Sequence, residues 1–394
     1  MKKLIAIMLL LLTIPCLTMA QKKELNQARS YIKSGKNLEQ AEKLMAELLK
    51  NPLHQDNKKI YATWLDAIRK QYEQANEKFY LHQKQDTAAF FNLTSRMFRV
   101  AEALDSVDAR PDKKGKIDIE YRKEHAKQMD VLRPNLFTAG SFHVRKYQFD
   151  KAFDYFEQYI DCMNQPLFTE QHYDSLDTRI PEAAYWATYC GHRMEQPVLT
   201  LRYRQLALRD SSKRAHTLQF VAEAWQKLND DSLYLETLQQ GFKEYPEFAY
   251  FFPRLADHYI QRQDYEGMLA VADKALAVND SSEIFLFAKS TALLNLGKYD
   301  ESITFSDRLL ALNPQHAEAY FNAGTAYLNK ALKYDTLKEK VQMKKTYQQA
   351  RTYMEKYRKL APAEKKKWAP ALYRIYLNLN MGKQFDEIDN LMKK

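Results

Sequence analysis

Three features of the sequence predict an all-α fold, an α-α superhelix (solenoid) of stacked helical hairpins. Apolar residues recur at helical spacing through most of the 394 residues. One segment, Glu283 to Pro314, shows the unit: Gly297 and Lys298 break two apolar-periodic stretches, Tyr299 opens the second, and Asn313-Pro314 ends it. The pattern then restarts at a fixed interval of 34 residues, with starts at 181, 215, 249, 283 and 317. A content of only 9 glycines and 12 prolines speaks against an all-β chain.

The first 20 residues have the order of a secretory signal peptide. Lys2-Lys3 precede the apolar run Leu4 to Leu12, and Thr18-Met19-Ala20 offers small residues before Gln21. A membrane anchor is the rival, but the run is shorter than the ~20 residues a span needs and Pro15 interrupts it. Lipidation at Cys16 is the other rival, disfavoured by Pro15 just before it. The expectation is therefore an exported, periplasmic protein, with secretion or envelope association as the alternative. No later segment is apolar enough to cross a membrane. The formal charge of +10 suits anionic partners, yet Lys and Arg are spread along the chain, which disfavours nucleic acid. Cys162 and Cys190 remain after removal of the leader; they read as two buried thiols rather than a disulfide, although export would permit one.

Taken in order, residues 21–117 read as degenerate N-terminal hairpins. Residues 22 to 52 give a first pair, with Tyr31 and Ile32 before the Gly35-Lys36 break and Ala41, Met45, Leu48 and Leu49 after it. Residues 57 to 106 hold two longer helices, one with Ile60, Trp64, Ile68, Tyr72 and Phe79, the other with Phe90, Leu93, Met97, Val100 and Leu104. Asp108 to Lys116 is the most loop-like stretch and the expected place of any hinge. The superhelix proper is expected over 118–394, with insertions at 167–180 and 331–345. A short helix near 118 to 131 leads into Leu136, Ala139, Gly140 and His143, followed by Phe149, Ala152, Phe156 and Tyr159 on a second helix. The unit at 249 is clear through Phe252, Leu255, Ala256, Tyr259, Tyr265, Ala272 and Ala275. Those at 181 and 215 are poorer because Pro197 and Tyr234 stand at unsuitable places. The last unit is split before Tyr347, Ala350, Met354 and Tyr357, and a helix pair from Trp368 to Met392 closes the array.

The spacing resembles the tetratricopeptide repeat, a pair of antiparallel helices stacked into a superhelix. The resemblance implies that small residues at the eighth and twentieth places, such as Gly140, Ala222, Ala256, Ser290, Gly324, Ala152 and Ala350, let paired helices approach closely. Large residues fill the space between units, and most of the 26 tyrosines are core for this reason. Proteins of this family are interaction scaffolds whose ligands lie in a concave groove lined by first helices. The groove places are two, five, nine, twelve and thirteen. They hold Tyr185, Tyr189, His192 and Arg193; Gln219, Glu223 and Gln226; Tyr250, Asp257 and Gln261; Phe287, Thr291 and Asn295; and Glu318, Phe321, Thr325 and Asn329. This aromatic and amide-rich face suits an extended protein or peptide segment, with Tyr189, Tyr250, Phe287 and Phe321 expected as exposed rings. The Lys and Asn clamp by which some members hold a C-terminal carboxylate is absent from those places.

Catalysis finds no support in the motifs. There is no HExxH, phosphate-binding glycine loop or GxSxG, and the 9 histidines show no i, i+4 metal pairing, so no enzyme, cofactor or metal is expected. His143 and His258 read as packed side chains. An accessory subunit or cryptic enzyme of cell-envelope polysaccharide or protein processing is the second functional reading. Five Asp-Ser/Thr-apolar triplets carry Thr87, Ser106, Ser175, Ser232 and Thr336, all expected in turns or insertions. They are similar to a periplasmic O-glycosylation signal; Asp-Ser and Asp-Thr are equally good helix N-caps.

Overall fold

The computed structural model describes residues 21–112, 114–335 and 337–393, and every regular element among them is helical. The expected leader, residues 1–20, lies outside the described residues. The chain divides into two compact units, one ending at Leu228 and the other beginning at Asn229.

The first unit opens with α1 (21–34) and α2 (Leu38–Leu49), turned at Gly35, whose φ of 68° suits a residue without a Cβ. The long pair α3 (Lys58–Tyr80) and α4 (Thr87–Asp108) follows the two expected apolar stretches, with Asn57 and Asp86 capping their N-termini. Helices α5 (Arg122–Leu132), α6 (Pro134–Arg145), α7 (Phe149–Asp161) and α8 (Tyr173–Leu176) lead to α9 (Ile180–Arg193). The partner of α9 is broken into α10 (Pro197–Arg202) and α11 (Arg204–Ala207), and α12 (Arg214–Lys227) ends the unit. The break falls at Tyr203, whose hydroxyl donates to Asp161 Oδ1 at 2.8 Å, so a tertiary hydrogen bond stands where the helical turn is lost.

The loop-like stretch after Asp108 is tied down inside this unit. Lys58 Nζ lies 2.6 Å from the Asp108 carboxylate and donates to the Asp118 carbonyl, while the Tyr121 N–H donates to Asp108 Oδ2 at 2.7 Å. The 167–180 insertion is pinned from beneath by one buried cation. The Arg133 guanidinium sits 3.8 Å from the centroids of both Tyr159 and Tyr173, donates to the Tyr159 carbonyl and reaches Asp177 Oδ2 at 2.6 Å. Such a charge is tolerated in the interior because its donors are satisfied.

The second unit comprises α13 (Asp231–Glu244), α14 (Phe251–Gln261), α15 (Tyr265–Val278), α16 (Glu283–Asn295), α17 (Tyr299–Leu312), α18 (Ala317–Ala331), α19 (Lys340–Leu360), α20 (Lys365–Asn378) and α21 (Gly382–Lys393). The helices expected to open at 283 and 317 do so at those residues, and those expected at 181 and 249 open at Ile180 and Phe251. The small residues perform the expected packing. Ser302 Oγ donates to the Ser290 carbonyl at 2.9 Å across the α16–α17 pair, and a Cβ on Gly324 would stand 3.0 Å from the Met354 side-chain tip. The 331–345 insertion differs from expectation in being partly helical: α19 already begins at Lys340, a largely exposed first turn that runs on to the buried Thr346 and Tyr347. The described elements therefore form an all-α fold, with α16–α17 and α18–α19 as tetratricopeptide-like hairpins. No described helix is long and apolar enough to cross a membrane.

Candidate functional site

Helix α9 carries Tyr185, Tyr189 and His192 at spacings of four and three, which places them on one face. Glu223 lies on the following α12, together with Phe220, a residue outside the groove places. The structure gathers these five. His192 stacks on Phe220 with centroids 4.5 Å apart and planes 21° apart, Tyr189 and Tyr185 stand 5.9 and 6.3 Å from the same ring, and His192 Nδ1 lies 3.4 Å from Glu223 Oε2. Burial lowers the His192 pKa against the opposing pull of Glu223, so the imidazole is neutral at pH 7. Tyr189 also meets Phe149 edge-on at 5.9 Å, and Arg193 donates to its hydroxyl at 2.7 Å while lying over Phe149. The result is a half-buried aromatic ledge with a charged rim.

In the second unit the groove places fare differently. Tyr250 is a correction: it is 6% exposed rather than open to solvent. Because α14 starts at Phe251, Tyr250 occupies the cap position instead of a helix face, and its ring meets Phe251 edge-on under the Arg254 guanidinium. Phe287 and Phe321 are also less open than expected: each is half-buried, Phe287 against His316 at 5.3 Å and Phe321 against Tyr357 at 5.1 Å. Thr291 Oγ1 accepts from Asn322 Nδ2 at 2.9 Å, and Asn295 Nδ2 donates to the Thr291 carbonyl, which makes a polar ladder between α16 and α18. Asp257 and Asn295 are exposed, and Asn329 is half-buried. Glu318 is engaged by Lys367 and Tyr357.

A second recess lies among the N-terminal helices, where the sequence pattern assigned no site. It encloses about 790 Å³ and is lined from α2, α3, α4 and α7 by amides and cations, among them Gln71, Gln74, Asn92 and Lys43. The signal was present as Gln71, Gln74 and Lys78 at helical spacing on α3, but these hairpins lack the 34-residue frame that would have marked a groove position.

Cys162 and Cys190 are both buried free thiols in the first unit, and burial pushes Cys190 up to about 12. His143 and His258 are buried, as their apolar neighbours in the sequence suggest. Of the Asp-Ser/Thr triplets, Asp86 caps α4 by accepting from the N–H groups of Ala88 and Ala89, with Thr87 next to it. Ser106 is a correction: it lies within α4, not in a turn, because Asp105 is held by Arg122 at 2.7 Å and helix continues to Asp108. Ser175 lies in the short α8 and Ser232 in the first turn of α13, both exposed. Thr336 falls outside the described residues.

No protein-family model matches the chain, and no curated protein matches it. Solved structures similar to it include the C-terminal part of a TPR repeat-containing protein from Cytophaga hutchinsonii, at 12% identity and a TM-score of 0.43, covering 64% of this chain and 92% of that one. A tetratricopeptide repeat protein from Parabacteroides merdae aligns at 18% identity and a TM-score of 0.35, over 66% of this chain and 97% of that one. YrrB, described as a TPR protein with an unusual peptide-binding site, aligns at 15% identity and a TM-score of 0.27, over 62% of this chain and 93% of its own.

Proposed function

We propose that the protein is an exported, periplasmic interaction scaffold that engages a protein or peptide segment, with the α9–α12 ledge of the first unit as a contact face. The observation that carries this reading is the convergence of Tyr185, Tyr189, His192 and Glu223 around Phe220. Half-exposed aromatic rings with a polar rim are the composition of interface anchors, which offer large contact area at low entropic cost. The polar ladder of Thr291, Asn295 and Asn322 would serve the second unit in the same way.

A displayed random-peptide library selected on the intact mature chain tests this. Peptides enriched on wild type should lose at least about tenfold in affinity with Tyr189→Ala and again with Glu223→Lys, since ~1.4 kcal/mol is one decade. Undiminished binding to the double variant would place recognition elsewhere and end the reading. Export is tested separately, by finding Gln21 as the N-terminus of the protein recovered from the periplasm.

A further inference from the structure

We propose that the recess formed by α2, α3, α4 and α7 is a binding groove for acidic peptide segments. It goes beyond the scaffold reading, since it uses other residues and another recess. Its lining cations are Lys43, Lys78, Arg96 and Lys151. Arg96 is committed, with Nη1 at 3.0 Å from Glu42 Oε1. The three lysines are exposed and have no carboxylate partner among the described residues, so their charge is available to a ligand.

The acidic side chains of the lining do not cancel it. Asp86 keeps its charge but turns one oxygen to the N-terminus of α4, accepting from Ala88 N–H at 2.9 Å and Ala89 N–H at 3.2 Å. Glu39 and Asp86 are the two lining carboxylates among the described residues, so the three lysines leave the recess with positive charge in excess. A recess with positive charge in excess raises the local concentration of anions.

The amides define the class of anion. Gln40, Gln85 and Asn92 line the groove with no side-chain hydrogen-bond partner among the described residues, whereas Gln71 is engaged by Glu42 and Gln74 by the Gly35 carbonyl. A free carboxamide presents one acceptor and a donor group, which matches the N–H and C=O that an extended backbone offers at each residue. Sugar rings call instead for an open aromatic platform, and the groove's ring, Tyr155, already has its face stacked on His143 at 5.4 Å and 9°. The recess holds about 790 Å³, within the range of ligand-binding clefts. The inferred ligand is therefore a short Asp/Glu-rich stretch in extended conformation.

The probe is a fluorescein-labelled ten-residue peptide of alternating Asp and Gly, with an Asn-for-Asp twin of the same shape and no charge. Anisotropy on the intact mature chain should show the acidic peptide binding at least about tenfold tighter than its twin, with affinity falling as salt is raised. Lys43→Glu, Lys78→Glu and Lys151→Glu combined should remove binding, the three Lys→Arg changes should retain it, and Gln85→Ala with Asn92→Ala should weaken it several-fold without altering the salt slope. Unchanged circular dichroism certifies the fold, since all three lysines are exposed. Tyr189→Ala should leave acidic-peptide binding untouched, so this groove and the aromatic ledge stand or fall separately. The proposal is overturned if the neutral twin binds as well, if the Lys→Glu variant binds as wild type, if the acidic peptide does not bind at all, or if only an oligogalacturonate is captured.

Discussion

For single residues, charge placement inside the first unit decides more than the repeat pattern does. Glu102 on α4 is held by burial, and next by the like charge of Asp161, at a pKa of about 7, with Arg99 opposing both. Its folded value is raised above the ordinary carboxylate value of 4.5, so below pH 4.5 it costs nothing in either state. As pH rises the unfolded chain ionises first, and a destabilising deficit grows progressively until about pH 7, above which it is constant. Glu102→Gln should therefore match wild type in urea denaturation at pH 4 and exceed it at pH 8 by up to about 3 kcal/mol. Equal midpoints at pH 8 would show that the carboxylate is better hydrated than its surroundings indicate.

Among the helical elements, what separates one hairpin from another is the hardness of the surface its small residue meets. A Cβ on Gly191 of α9 would come within 2.5 Å of the Thr200 backbone nitrogen, whereas one on Gly324 of α18 would meet the movable tip of Met354 at 3.0 Å. Backbone cannot yield and a methionine tip can. Gly191→Ala should accordingly lower stability by about 1–3 kcal/mol or more, with Gly324→Ala costing less than about 1 kcal/mol. Gly324→Leu, which overfills the same gap, should approach the Gly191→Ala value. Thermal melts of the three variants check the order, and a Gly324→Leu melt equal to wild type would contradict the close α18–α19 packing. The short α10 and α11 obey the same logic in reverse, since the backbone there meets α9 only by giving up a continuous helix.

Across the molecule, each unit has its own apolar core. The first packs Phe98, Phe156, Phe168 and Met129, and the second packs Tyr347, Tyr357, Met354 and Leu372. A repeat array is stabilised by neighbour contacts and does not require the full chain. Residues 21–228 expressed alone should therefore be helical by circular dichroism and unfold cooperatively in urea. A non-cooperative, flat melt would mean that the first core is insufficient by itself.

Apolar period and small-residue placement are local properties of the chain, and they suffice for the all-α class, the 34-residue frame and the helix starts at Glu283 and Ala317. They suffice equally for Tyr185, Tyr189 and His192 sharing a face, since 3.6-residue geometry alone brings these together. Which rings stay open depends on packing between helices. Tyr250 is lost to the interior because its helix begins at Phe251, two residues after the expected start at 249, and Phe220 joins the ledge because α12 sets it against His192. The unpaired cations have the same origin. Lys43, Lys78 and Lys151 are themselves more than thirty residues apart in the chain, and whether a carboxylate meets each of them depends on a three-dimensional arrangement that no local pattern encodes.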